Sequence, residues 1–152
     1  MPHPTPLLRH IFTVRADLAN ILDVGPTPAG HRRVINILAG TVTGPRLTGK
    51  VLPGGADWQI VRPDGALDIE ARYTLQADDG ALIQVRSSGL RHGAPEVLAR
   101  VVRGDPVDPG EYYFRTLMRF ETAAPKHDWL NRILAIAYAA RMENAVELHV
   151  HE

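Results

Sequence analysis

The chain has 152 residues, enough for one domain that buries most of its apolar surface. Seventeen Lys and Arg balance seventeen Asp and Glu, so no net field draws the protein to nucleic acid or to an anionic membrane. The absence of cysteine excludes disulfide scaffolds, thiol catalysis and cysteine-bound zinc.

The opening MPHPTPLLRH lacks the apolar core of a signal peptide, and no apolar run reaches the roughly 20 residues of a membrane helix. A cytoplasmic protein is expected, with residues 1–6 a loose extension. From there LLRHIFTVRADL (7–18) alternates: Leu8, His10, Phe12 and Val14 fall on one face, Arg9, Thr13 and Arg15 on the other. Period two predicts a strand. DVGPTPAGHRR (23–33) reads as a turn-rich loop, RVINILAGTV (33–42) as a strand, and GPRLTGKVLPGG (44–55) as a broken connection. DWQIVRPDG (57–65) is a strand ending in a Pro-Asp-Gly turn.

The clearest unit is ALDIEARYTLQADDGALIQVRSSGLR (66–91). Leu67, Ile69, Ala71, Tyr73 and Leu75 share one face, Asp68, Glu70, Arg72, Thr74 and Gln76 the other, and Asp79-Gly80 closes a hairpin. Residues 95–104 change period: Val97, Leu98, Val101 and Val102 recur at helical spacing between Pro95 and a terminating Gly104. EYYFRTLMRFET (111–122) is an aromatic strand and KHDWLNR (126–132) a helical turn. Two more strands follow in RILAIAYAARM and AVELHVHE. About eight antiparallel strands and one short helix predict an all-β fold, a single barrel whose closure removes its edges.

GGADWQ, RYTLQADDGALIQV and YYFRTLMRFET, in this order and spacing, resemble a family of uncharacterised proteins, DUF3237 or UPF0311. The resemblance runs from about Arg32 to the C-terminus. It implies a barrel of the allene oxide cyclase and dirigent type, and it carries no activity and no residue roles.

Two readings of the polar residues stay open. In GGADWQ the glycines allow a tight approach, and Asp57 and Trp58 then point to opposite faces. Asp57 is either a turn residue or a base at the barrel mouth, and Trp58 either a core anchor or a ligand wall. Arg72 lies on a polar row, as do Tyr113, Arg115 and Glu121. If that row faces solvent, these are surface residues. If it faces inward, Asp57, Arg72, Tyr113 and Arg115 form a catalytic set, with arginine steadying an oxyanion and a carboxylate moving a proton. Trp58 and Glu121 would then contact the ligand.

His149 and His151 share a face of the last strand with Glu147, but a third ligand to the histidine pair is not evident nearby, so no metal site is assigned. Nucleotide and hydrolase motifs are missing. The expected function is binding of a small apolar or aromatic organic acid, with cofactor-independent isomerase, cyclase or hydratase chemistry. The alternative is a non-catalytic binding module or a structural homo-oligomer.

Overall fold

The computed structural model describes all residues, Met1–Glu152, and ten strands carry the fold. In chain order they are β1 (His10–Leu18), β2 (Leu22–Thr27), β3 (Gly30–Thr43), β4 (Gly49–Val51), β5 (Ala56–Val61), β6 (Leu67–Ala77) and β7 (Leu82–His92). Helix α1 (Pro95–Arg103) and a short 3-10 turn, Pro109–Glu111, lead to β8 (Tyr113–Glu121). A second 3-10 segment, Pro125–Arg132, precedes β9 (Ala135–Arg141) and β10 (Ala145–His151).

Every pairing is antiparallel. β1 bonds β10 on one side and the C-terminal half of β3 on the other, so the sheet closes on itself. β4 and β5 are two pieces of one stave, each lying between β3 and β6. The result is a closed barrel of eight staves, as the alternation of the sequence predicts, with one short α-helix outside the sheet.

The apolar rows point inward. Leu67, Ile69, Ala71, Tyr73, Leu75 and Ala77 of β6 are all buried, and Phe114, Thr116, Met118 and Phe120 do the same on β8. Phe12 meets Phe120 edge to face across the interior, centroids 5.7 Å apart, a geometry that suits the ring quadrupoles. One end of the barrel is plugged. Leu130, fully buried, comes from the second 3-10 segment, and His127 beside it is held by Asp79 at 2.8 Å.

Two stretches read as loops are ordered strands. Residues 23–33 form most of the β2–β3 hairpin. Gly25, at φ +89°, shifts the register within β2, and Pro26 is tolerated because β2 is an edge strand whose outer side needs no donor. Within 44–55, β4 pairs both β3 and β6 before Leu52–Gly55 interrupts the stave. Helix α1 matches its expected bounds, with Pro95 in its first turn and Gly104 closing it at φ +82°.

Candidate active site

The interruption before β5 builds the site. Gly54 turns the chain at φ +107°, and Gly55 packs so close to β6 that a Cβ there would lie 2.6 Å from the Arg72 carbonyl oxygen. Val51 and Asp57 are six positions apart, whereas their partners Leu75 and Ala71 are four apart. This wide bulge adds two residues and therefore keeps the inward parity. Asp57 and Gln59 pair with Ala71 and Ile69 and point inside, while Trp58 pairs with Glu70 and stands on the outer wall.

Asp57 and Gln59 open onto a cavity of about 40 Å³ near the unplugged end of the barrel, room for a few waters or one ligand head group. Its walls are mainly apolar, from Ile35, Ile37, Ile69, Phe114 and Leu148, with polar atoms at a few points. Gln59 donates from Nε2 to Asp57 Oδ2 at 2.6 Å and accepts at Oε1 from Arg33 Nη2 at 2.8 Å. The second carboxylate oxygen, Asp57 Oδ1, is buried without a partner in the protein. So are Tyr73 Oη and Thr116 Oγ1, which line the same cavity, and Arg33 Nε, on the guanidinium bonded to Gln59. Orphaned polar atoms are rare in folded proteins, and four in one region set it apart from the rest of the core.

Three guanidinium groups gather here. Arg33 follows from the inward row of Ile35 and Ile37 on β3, Arg91 from that of Val85 and Ser87 on β7, and Arg141 from that of Ala137 and Ala139 on β9. Arg141 is anchored by donating from Nη1 to the carbonyls of Met142 and Ala145, at 2.6 and 2.9 Å. Arg91 is 8% exposed, makes no ion pair or hydrogen bond through its side chain, and lies 5.7 Å from the Phe114 ring. Burial, then repulsion from Arg33 and Arg141, pulls its pKa down to about 10, so it remains a cation at neutral pH. Burial also raises the Asp57 carboxyl above its ordinary range, against the opposing pull of the Gln59 hydrogen bond and the Arg91 charge. The Tyr73 hydroxyl is pushed up by burial and by Asp57, so it stays a neutral donor.

Of the six residues singled out from the sequence, the structure brings only Asp57 into this cavity. Arg72, Tyr113, Arg115 and Glu121 sit on the outer wall because their strands bury the alternate, apolar row. The joint site expected for Asp57 with Arg72, Tyr113 and Arg115 does not form. Arg115 lies instead over Tyr138, 4.1 Å from the ring centroid, and 5.0 Å from that of Tyr113. Arg72 and Glu121 do share an outer groove. Arg33, Gln59, Tyr73, Arg91, Thr116 and Arg141 were not among those six. Their signal is the inward parity of a polar residue on a mostly apolar row.

The histidine pair of β10 gains a neighbour across β1: the His10 ring lies 5.5 Å from His151 and 6.2 Å from His149. Their nitrogens are engaged elsewhere, His149 with Glu147 at 2.7 Å and His151 with the His149 carbonyl at 2.9 Å. No three His, Asp or Glu side chains converge in a metal-holding arrangement, and no helix is long and apolar enough to cross a membrane.

Residues 6–152 match the family described as "Protein of unknown function (DUF3237)". The UPF0311 protein blr7842 of Bradyrhizobium diazoefficiens is 44% identical over 149 residues, 98% of this chain and 97% of the relative. The crystal structure of RPA1785 from Rhodopseudomonas palustris, a conserved protein of unknown function, is 42% identical with a TM-score of 0.92, covering 99% of this chain and 98% of that one. A crystal structure described as an enzyme from Penicillium herquei has a TM-score of 0.73 at 22% identity, covering 100% of this chain and 99% of that one, and shares the fold.

Proposed function

The chain belongs to the DUF3237 family, and from that premise we propose that its barrel binds a small, mainly apolar or aromatic organic acid and moves a proton on it. One observation carries this reading. Arg91 is a buried cation without an acceptor, facing the same cavity as an unpartnered carboxylate oxygen of Asp57. Buried charges are ordinarily paired, and three guanidinium groups around one carboxylate leave positive charge for an anion to neutralise.

In this reading the ligand's carboxylate, phenolate or enolate oxygen accepts from Arg91, with Arg33 and Arg141 adding long-range attraction. The hydrocarbon body lies against Ile69, Phe114 and Leu148. Asp57 works through Oδ1. Its raised pKa lets it hold a proton nearer neutrality than a free carboxyl does, deliver it to a substrate carbon or oxygen, and take one back from a second position. Gln59 keeps the other oxygen occupied and so fixes the direction of transfer. Tyr73 and Thr116 supply neutral donors toward developing oxygen charge. Such a set suits isomerisation, cyclisation or hydration, in which protons move and no electrons are gained or lost. That a fold neighbour is described as an enzyme fits a catalytic barrel.

The test is a panel of aromatic and aliphatic carboxylic acids screened by ligand-observed NMR. Hits should bind wild type and lose affinity in Arg91→Met. Incubating a hit in D₂O should exchange a carbon-bound proton with wild type and not with Asp57→Asn. Equal binding to Arg91→Met would remove the anion site. Binding without Asp57-dependent exchange would reduce the barrel to a ligand carrier.

A further inference from the structure

The outer wall carries a second cluster of cations that the interior site does not use. In the register of the barrel, Arg72 of β6 stands opposite Arg86 of β7, and Arg86 opposite Arg119 of β8. All three point outward and are exposed. Adjacent strands are about 4.8 Å apart, so the row spans about 10 Å. Like charges directly opposite each other on a sheet repel, and such pairs are normally relieved by a carboxylate. Here none is. Glu70 and Glu121 occupy neighbouring rows, yet no ion pair or side-chain hydrogen bond engages Arg72, Arg86 or Arg119. Arg15, Arg62, Arg100, Arg103 and Arg132, also on the outside, each have an acidic partner, and outward Arg115, which has none, lies over the Tyr138 ring.

The same three side chains line a groove of about 390 Å³ together with Gln84 and Glu121. Gln84 is tied to Thr74 at 2.6 Å and marks one border of the strip. Glu121, directly opposite Gln84 on β8, stands on the same border, and on the opposite border comes Glu70. The strip ends sideways at Ala56, the partner of Arg72 on β5, and at Arg119, where the β8–β9 pairing has already stopped at Met118.

We propose that Arg72, Arg86 and Arg119 form a binding site for one compact phosphoryl-type anion on the outer wall, separate from the interior cavity. The planar fork of arginine matches the oxygens of a tetrahedral oxyanion, and three forks in line match a group with several of them. The bounding carboxylates favour a small anion over a polymer. A nucleic acid strand long enough to leave the strip in either direction along the barrel wall would run its phosphates past Glu70 or Glu121.

The test titrates inorganic pyrophosphate, phosphate and sulfate separately into full-length protein at about 20 mM ionic strength, where screening is weak. Backbone amide shifts and the melting temperature are the readouts. Saturable shifts centred on residues 72, 86 and 119 are expected, strongest with pyrophosphate, with affinity about tenfold weaker in Arg86→Gln, the loss of one charged contact. Arg103→Gln, on helix α1, should leave the titration unchanged. Without added anion, Arg86→Gln should melt higher than wild type, because it removes two repulsive neighbours. A row kept for stability would instead melt lower, and that result would overturn the site. So would shifts unaffected by Arg86→Gln, the absence of saturation by about 10 mM pyrophosphate, or Arg86-dependent binding of a short oligonucleotide without pyrophosphate binding.

Discussion

Gln59 holds one oxygen of the Asp57 carboxylate at 2.6 Å and leaves the other facing the barrel interior with no partner in the protein. This division makes Asp57 directional. It also makes the residue costly to the fold, because burial opposes its charge more than its neighbours favour it.

The cost depends on pH with a definite sign. The unfolded chain loses the Asp57 proton near pH 3.9, and the folded protein keeps it to higher pH because burial raises the pKa. The contribution of this group to stability is therefore full below the unfolded value and is lost as pH rises through the folded one. Asp57→Asn cannot titrate. Its melting temperature should match that of wild type near pH 3.5 and exceed it increasingly toward neutrality, as followed by circular dichroism across a pH series. A constant offset at all pH values would contradict the assignment.

Tyr73 Oη is buried without an acceptor. Tyr73→Phe should raise stability by about 1 kcal/mol, read from denaturant midpoints, by removing an unsatisfied polar group of unchanged shape. The same change should slow any proton exchange that Asp57 performs on a bound acid. A loss of stability would mean that the hydroxyl has a partner in solution.

Arg91 and Arg115 form a matched pair of arginines, one inside the wall and one outside, and β7 and β8 set them close in register through Leu90. Arg91→Met should weaken a bound organic acid by about 1.5–3 kcal/mol, the scale of a charged hydrogen bond, with folding kept because an unpaired buried charge is removed. Arg115→Met should change stability by no more than about 0.5 kcal/mol and leave acid affinity as it was. Isothermal titration of both variants with one hit from the carboxylic acid panel checks the contrast.

On β7, a Cβ added at Gly89 would lie 2.0 Å from the carbonyl oxygen of Arg115 on β8. Gly89→Ala should cost about 1–3 kcal/mol, as overpacking does. Because Gly89 pairs with Thr116, the displaced backbone should also disturb the cavity. Thermal melts with and without a bound acid separate the two effects.

Much of the architecture can be read from alternation. The row Leu67 to Leu75 and the Asp79-Gly80 turn specify β6 and β7, and Pro95 with Gly104 bounds α1, because these signals are local. The β2–β3 hairpin was obscured by Gly25 and Pro26, residues that ordinarily end strands but here sit on an edge that tolerates them. The site was harder. On β5 the usual preferences are reversed: the tryptophan is outside and the aspartate and glutamine are inside. Attention to rows dense in polar residues leads to Arg72 and Arg115, which are outer wall. The informative residues are the exceptions on apolar rows: Arg33 beyond Ile35, Arg91 beyond Val85 and Arg141 beyond Ala139. Each strand contributes one such exception, and only barrel closure brings the three to the same end.

That closure has a kinetic consequence. β1 pairs with β10, joining Thr13 to His149 across 136 positions, and two backbone hydrogen bonds between Arg9 and Glu152 extend the seam. The stave that completes the ring is thus fixed by the contacts most distant in sequence, whose loop-closure entropy must be met before any stabilisation is returned. Ring closure should come late in folding, after the β6–β7–β8 meander has formed. A circular permutant that links Arg9 to Glu152 through a short spacer and opens at Asp79-Gly80 would reverse the order, making the seam local and the central hairpin the slow step.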